Sequence, residues 1–128
     1  MDNPSDLRYT PSHEWLRDNG DGTVTVGITH HAQDALGELV YVELPEPGRA
    51  LTAGTQFAVV ESTKAASDVF APVDGEVVEV NAALADAPQA VNESPFDAGW
   101  LVRIRLADPK QLDSMLSASG YGAGPGAA

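Results

Sequence analysis

Apolar and polar residues alternate in short bursts along most of this chain, a period of two that predicts strands rather than helices. Thr23 to Ile28 reads Thr-Val-Thr-Val-Gly-Ile, Leu39 to Leu44 alternates until Pro45 stops it, and Gly75 to Asn81 alternates again after Asp74. Glu14 to Arg17 is a further β-rich run, joined to Thr23–Ile28 through Asn19-Gly20-Asp21-Gly22, whose residues tolerate positive φ; a hairpin is predicted. Pro47-Gly48 marks a turn, after which Thr55–Ser62 and Ser67–Pro72 read as two strands flanking Lys64. Trp100 to Asp108 is a last strand, with Leu101, Arg103 and Arg105 facing away from Val102, Ile104 and Leu106. Between Leu39 and Val80 no segment is long enough for a crossover helix, so the pairing is expected to be largely antiparallel, as in a sandwich or barrel.

A period near 3.6 appears in few places. Thr29 is a fair N-cap, Ala32, Ala35 and Leu36 follow at helical spacing, and Gly37 ends the run, which predicts one short internal helix. Asn81 to Gly99 reads as a short helical turn and a loop. Asp108 as N-cap, Pro109 at the first helical position and Gln111 two residues on, with Leu112, Met115 and Leu116 as a stripe, predict a C-terminal helix docked on the sheet. The remaining Gly-rich stretch has no pattern. One domain over residues 1–118 and a disordered tail over 119–128 are therefore expected.

Composition narrows the function classes. With 128 residues, 43% of them hydrophobic, the chain can close a core without staples. The 19 acidic against 7 basic side chains give a net charge of −12, a surface that repels nucleic acid and anionic lipid. There is no cysteine, so disulfides and thiolate metal sites are excluded, and sulfur redox chemistry would have to arrive on a cofactor. No apolar run approaches the roughly 18 residues of a membrane span and the N-terminus has no signal character, so a cytoplasmic protein is expected.

Candidate chemistry is sparse. Neighbours on a helix point about 100° apart, so His30 and His31, with only His13 as a further candidate, do not suggest a metal site. Trp15 and Trp100 sit in β patterns and read as core or sheet-edge residues. The Gly-rich stretches lack the strand-to-helix context of a phosphate loop, and no base stands near a nucleophile as a hydrolase needs. Lys64 is different: one of only two lysines, it falls at a hairpin tip between small neighbours Ser62, Thr63, Ala65 and Ala66, bracketed by Glu61 and Asp68. A turn lysine most often only solubilises. At the end of a stiff stalk, however, an open primary amine can be acylated and carried between partner sites.

Four stretches resemble the glycine cleavage system H protein family: "SHEW" (Ser12–Trp15), "VGITHHAQDALGELVYVELPEPG" (Val26–Gly48), "VESTKAASDVFAPVDGEVVEVN" (Val60–Asn81) and "VNESPFDAGWLVRI" (Val91–Ile104). They occur in order and at the right spacing, over about residues 7 to 118. The resemblance implies a mainly β barrel-sandwich hybrid of the lipoyl/biotinyl type, with lipoate attached covalently to Lys64 by a lipoylating enzyme. It implies a carrier rather than an enzyme, taking the aminomethyl group of glycine from a pyridoxal-phosphate-dependent decarboxylase to a folate-dependent aminomethyltransferase. A dihydrolipoamide dehydrogenase would then reoxidise the arm. It further implies that the loaded arm folds back into a cleft where Glu14, neighboured by Ser12 and Asp68, holds the ammonium. A carrier visiting several sites is best served as a monomer. Two departures stand out. Ala35 replaces a histidine of some relatives, and the family's charged, tyrosine-containing terminal helix is replaced by glycines around an isolated Tyr121. Rival readings are a biotin-carrier-like domain, although Thr63 and Ala65 stand where that family prefers methionine, and an unmodified β-sandwich interaction module. Intact mass from a lipoylating host separates the three.

Overall fold

The computed structural model describes residues 3–124. Its described strands form two antiparallel sheets, one of six strands in the order β1-β2-β3-β9-β8-β5 and one of three in the order β4-β6-β7. In chain order these are β1 (Arg8–Tyr9), β2 (Glu14–Asp18), β3 (Thr23–Ile28), β4 (Leu39–Glu43), β5 (Ala50–Leu51), β6 (Gln56–Ser62), β7 (Ala66–Phe70), β8 (Gly75–Val80) and β9 (Val102–Leu106). The expected hairpin is β2–β3, registered Glu14 opposite Ile28 and Asp18 opposite Val24. The mainly β, antiparallel expectation holds. β1 and β5, two residues each, are too short to leave a period in the sequence.

Inward-facing Leu16, Val26, Val60, Val69, Val77 and Ile104 from both sheets share one core cluster, the layered arrangement that buries one face of each sheet. A second cluster joins Leu7, Tyr9, Trp15, Phe96 and Tyr121. On β9 the arginines do face outward, and Arg103 and Arg105 pair across the ladder with Glu79 and Glu76 of β8. Leu101, expected on their side, is instead fully buried: it precedes the regular strand, and its N–H donates to the Val26 carbonyl. On β4 a register shift between Leu39 and Tyr41 interrupts the alternation and leaves Val40 and Tyr41 exposed.

The internal helix forms as α1 (His30–Leu36), with Thr29 Oγ1 accepting from the Ala32 N–H and the Gly37 N–H closing onto the Gln33 carbonyl. The loop of residues 82–99 carries a 3₁₀ turn at Ala82–Ala85 and the short helix α2 (Ala90–Glu93). Two C-terminal expectations are corrected. Pro109–Ser114 is a 3₁₀ helix rather than an α-helix, capped by Asp108 as expected, but Gln111 reaches across to Asp74 instead of back to its own cap. Beyond it Leu116 pairs with Tyr9 as a β-bridge. Residues 118–123, all but the first within the tail expected to be disordered, form a helix, α3 (Ala118–Ala123), capped by the Ser117 hydroxyl. The reason is Tyr121, whose ring is fully buried against Tyr9 with centroids 4.9 Å apart; one large aromatic in a slot outweighs the weak helix propensity of its glycine neighbours. Residues 125–128 of that tail lie outside the described residues.

Candidate functional site

Lys64 stands at the tip of the β6–β7 hairpin, and Thr63, Lys64, Ala65 and Ala66 are all exposed. Ser62 closes the tip: its N–H donates to the Ala65 carbonyl at 2.8 Å, while its hydroxyl oxygen accepts from the N–H groups of Lys64 and Ala65 at 3.3 and 3.2 Å. Buried Val60 and Val69 root the two strands in the core. The amine is thus carried on a short, internally bonded tip above a stalk that cannot swing freely.

The lysine stem does not point into empty space. Its Cε and Nζ lie 3.4 and 3.8 Å from the point where a side chain on Gly37 would begin. Gly37 has φ of 85°, a conformation that favours glycine and that ends α1. Asn92 pins this corner. Its Nδ2 donates to the Gly37 carbonyl at 2.8 Å and to Gln33 Oε1 at 2.9 Å, and its Oδ1 accepts from the Leu39 N–H at 2.8 Å. One side chain from α2 thereby fixes the end of α1, the start of β4 and the surface beneath Lys64. The helix-ending role of Gly37 is legible locally, whereas nothing in the sequence around Asn92 marks it as a staple.

At the start of β2, Glu14 is only 2% exposed, and no described lysine, arginine or histidine forms an ion pair with it. Its Oε1 accepts from Thr10 Oγ1 at 2.6 Å and from Ser12 Oγ at 2.5 Å. Burial pushes the carboxyl up from its ordinary value, against the opposing pull of the Ser12 and Thr10 hydroxyls and of a backbone hydrogen bond from Phe70. The structure brings Ser12 and Glu14 together. Asp68 lies apart: exposed on β7, it makes no side-chain hydrogen bond to either of them, although it sits two residues before Phe70. Thr10, buried beside Glu14, is a partner that sequence reasoning missed; a lone threonine before "PSHEW" carries no motif signal.

A second network adjoins Glu14. The Tyr121 hydroxyl bonds Thr29 Oγ1 at 2.8 Å and His13 Nδ1, and the His13 ring stacks on that of His31 with centroids 4.4 Å apart. Burial, and secondly the His31 charge, lower the His13 pKa from its ordinary 6.5. Burial raises that of Tyr121, with the Glu14 charge adding to it and the Thr29 hydrogen bond opposing. The three histidines do not converge on one point, and no group of three or more His, Cys, Asp or Glu able to hold a metal is found among the described residues. Among these residues no helix is long and apolar enough to cross a membrane.

Two cavities elsewhere, one of about 510 Å³ between Arg8, Leu16 and Leu112 and one of about 400 Å³ beside Leu51 and Arg105, include neither Lys64 nor Glu14. The exposed lysine, the pinned Gly37 corner and the buried Glu14 instead belong to the two ends of β7. That strand covers about 13 Å from Ala66 to Phe70, at roughly 3.3 Å per residue.

Comparison with known proteins points to one family. A family model described as "Glycine cleavage H-protein" matches residues 7–124, a span that takes in α3 as well. The chain is 61% identical over 120 residues to a glycine cleavage system H protein of Marinomonas sp. strain MWYL1, covering 94% of each. It is 58% identical over 120 residues to one of Chromohalobacter salexigens, covering 94% of this chain and 92% of that one. A crystal structure of a glycine cleavage system H protein from Mycobacterium marinum superposes with a TM-score of 0.88 at 42% identity, covering 97% of this chain and 99% of that one.

Proposed function

The chain belongs to the glycine cleavage H-protein family, and from that membership we propose that it serves as the lipoyl carrier of a glycine cleavage system, with lipoate in amide linkage to Lys64. The observation that carries this reading is the exposed amine at a closed hairpin tip, joined by β7 to a buried carboxylate that has no described counter-cation. A biotin carrier and an unmodified interaction module are not favoured by relatives that all bear the H-protein name.

The residues fit the group. An acylating enzyme needs an unhindered amine, and the neighbours of Lys64 are Thr63 and Ala65 on an exposed tip. Extended, lysine plus lipoyl is a chain of about eleven bonds of roughly 1.5 Å, projecting to about 14 Å, which is comparable with the length of β7. When attached, lipoate supplies the disulfide-forming sulfurs that this cysteine-free chain lacks, the atoms on which an aminomethyl group is carried and from which it is released.

The rest is work for the chain's own side chains. Glu14, desolvated and fed by Thr10 and Ser12, is a carboxylate for which a primary ammonium is the natural partner, because an opposite charge offsets the burial that now raises its pKa. Buried Thr10 and the neighbouring Ser12 already aim their hydroxyls at it, so the surroundings of the carboxylate are preorganised. Asp68, exposed on the strand between Lys64 and Phe70, adds negative charge along the path. We assign no proton transfer or bond-making step to this chain: the chemistry belongs to partner enzymes of the system, namely a pyridoxal-phosphate-dependent decarboxylase, a folate-dependent aminomethyltransferase and a dihydrolipoamide dehydrogenase.

The test is the mass of the Lys64 peptide from a lipoylating host, together with Lys64→Arg. A lipoyl increment on that peptide and loss of glycine decarboxylation in Lys64→Arg, with a thermal melt close to wild type, are expected. Full glycine decarboxylation supported by Lys64→Arg would refute the assignment.

A further inference from the structure

We propose that Tyr121, from the C-terminal helix, is a positioning residue for Glu14: by gripping His13 it holds the Thr10–Glu14 turn in the shape that aims two hydroxyls at the buried carboxylate. The inference rests on the reading of Glu14 as the ammonium site and extends it to a residue 108 positions from the turn it controls.

The turn is tight and strained. His13 N–H donates to the Thr10 carbonyl at 3.1 Å and Thr10 N–H to the Glu14 carbonyl at 3.0 Å, which folds the chain back on itself immediately before β2. To do so His13 takes φ of 71°, the only positive φ at a described non-glycine residue. That conformation costs a side-chain-bearing residue free energy and persists only where the surroundings impose it. Ser12 and Glu14 flank His13 in sequence, so relaxing His13 to negative φ would redirect both, and with them the Ser12–Glu14 and Thr10–Glu14 hydrogen bonds.

What imposes it is visible. The His13 carbonyl accepts from the Thr29 N–H at 3.0 Å, its ring lies on His31, and its Nδ1 meets the Tyr121 hydroxyl. The hydroxyls form a connected chain. With His13 Nδ1 as the acceptor tautomer, Tyr121 Oη donates to it and accepts from Thr29 Oγ1, which itself accepts from the Ala32 N–H, so one proton arrangement satisfies every bond. Tyr121 is the link that cannot shift: fully buried, stacked on Tyr9, and carried on a helix whose cap and preceding bridge to Tyr9 are both bonded. The second hydrophobic cluster, at the edge of the main core, thus fixes the geometry of the carboxylate.

Tyr121→Phe keeps the ring and its stacking and deletes only the hydroxyl. Two readouts are required. In the unlipoylated protein, amide hydrogen exchange at His13 and Glu14 is expected to accelerate about three- to tenfold, the equivalent of one hydrogen bond, while the β8–β9 amides stay at wild-type rates. In the lipoylated protein incubated with glycine and the decarboxylase, ammonia release in the absence of aminomethyltransferase is expected to rise by a similar factor. Both effects should vanish in a His13→Gly background, because glycine adopts positive φ without being held there. Unchanged exchange at His13 and Glu14, unchanged ammonia release, or the same acceleration with His13→Gly as without it, would each overturn the proposal. A uniform rise in all amide rates would also overturn it, since that is the mark of lower global stability. Ammonia release from wild type that matches release from free lipoamide treated alike would instead sink the cleft reading of Glu14, while the exchange data would still report on the turn.

Discussion

Asn92→Ala tests whether a single side chain ties the helical corner to the hairpin that carries Lys64. The substitution removes three hydrogen bonds and leaves the Leu39 N–H and the Gly37 carbonyl without their partners, both next to buried Leu39 and Gln33. A buried backbone group stripped of its partner costs roughly 1–3 kcal/mol. Asn92 itself is only half-buried, so water can reach part of the gap. The expected loss is therefore about 2–4 kcal/mol, a large share of the roughly 5–15 kcal/mol that holds a domain together. For a chain of this size it corresponds to a melting point lower by about 10 °C. Urea unfolding followed by tryptophan fluorescence measures it, with an unchanged m-value confirming that the same surface is exposed. Asn92→Asp keeps an acceptor for Leu39 but turns a carboxylate oxygen towards the Gly37 carbonyl, so it is expected to recover little. A loss below about 1 kcal/mol in Asn92→Ala, or wild-type stability in Asn92→Asp, would show that the corner is held by packing alone.

Two further outcomes are expected. Because the Glu14 carboxyl is raised above its ordinary 4.5 by burial, its contribution to stability is fully present below that pH and is lost as pH rises through the folded-state value; the stability difference between Glu14→Gln and wild type should therefore shift in favour of the variant as pH rises above 4.5. Parallel pH profiles of the two melting points would contradict it. Gly27→Ala would place a methyl group 2.7 Å from three atoms of the Trp15 indole, which is wholly buried and donates to the Pro95 carbonyl; a loss of about 1–3 kcal/mol is expected from the forced repacking, and chemical denaturation with no shift in midpoint would refute it.

Much of the fold was legible because its signals are local. Asn19-Gly20-Asp21-Gly22 specifies a reversal through its own φ preferences, and the β2–β3 hairpin follows. Thr29 and Gly37 bound α1 because a cap is chemistry between residues three or four apart. The Lys64 tip was readable for the same reason: strand, small polar turn, strand. What could not be read depends on partners far along the chain. Leu101 followed the strand period on paper, yet it is buried because its backbone pairs with Val26. The glycines around Tyr121 have the composition of a disordered tail, and only a slot lined by Tyr9 and Thr29 makes the helix worth forming.

Within the candidate site the same division holds. Lys64 was named from its place at a hairpin tip and Ser12, Glu14 and Asp68 through family resemblance; the structure joins Ser12 to Glu14 while leaving Asp68 on the open strand. Thr10, His13, Asn92 and Tyr121, which shape the surroundings of the lysine and the carboxylate, carry no motif of their own. By itself the sequence determined where the chain turns, which faces are apolar and which amine is presented, since each is a property of neighbouring residues. Only the tertiary structure decided that a carboxylate is buried without a described counter-cation, that a strained histidine shapes the turn before it and that a tyrosine from the far end of the chain holds that histidine. Those contacts exist once distant segments pack, and their energies come from desolvation and geometry that no local pattern encodes.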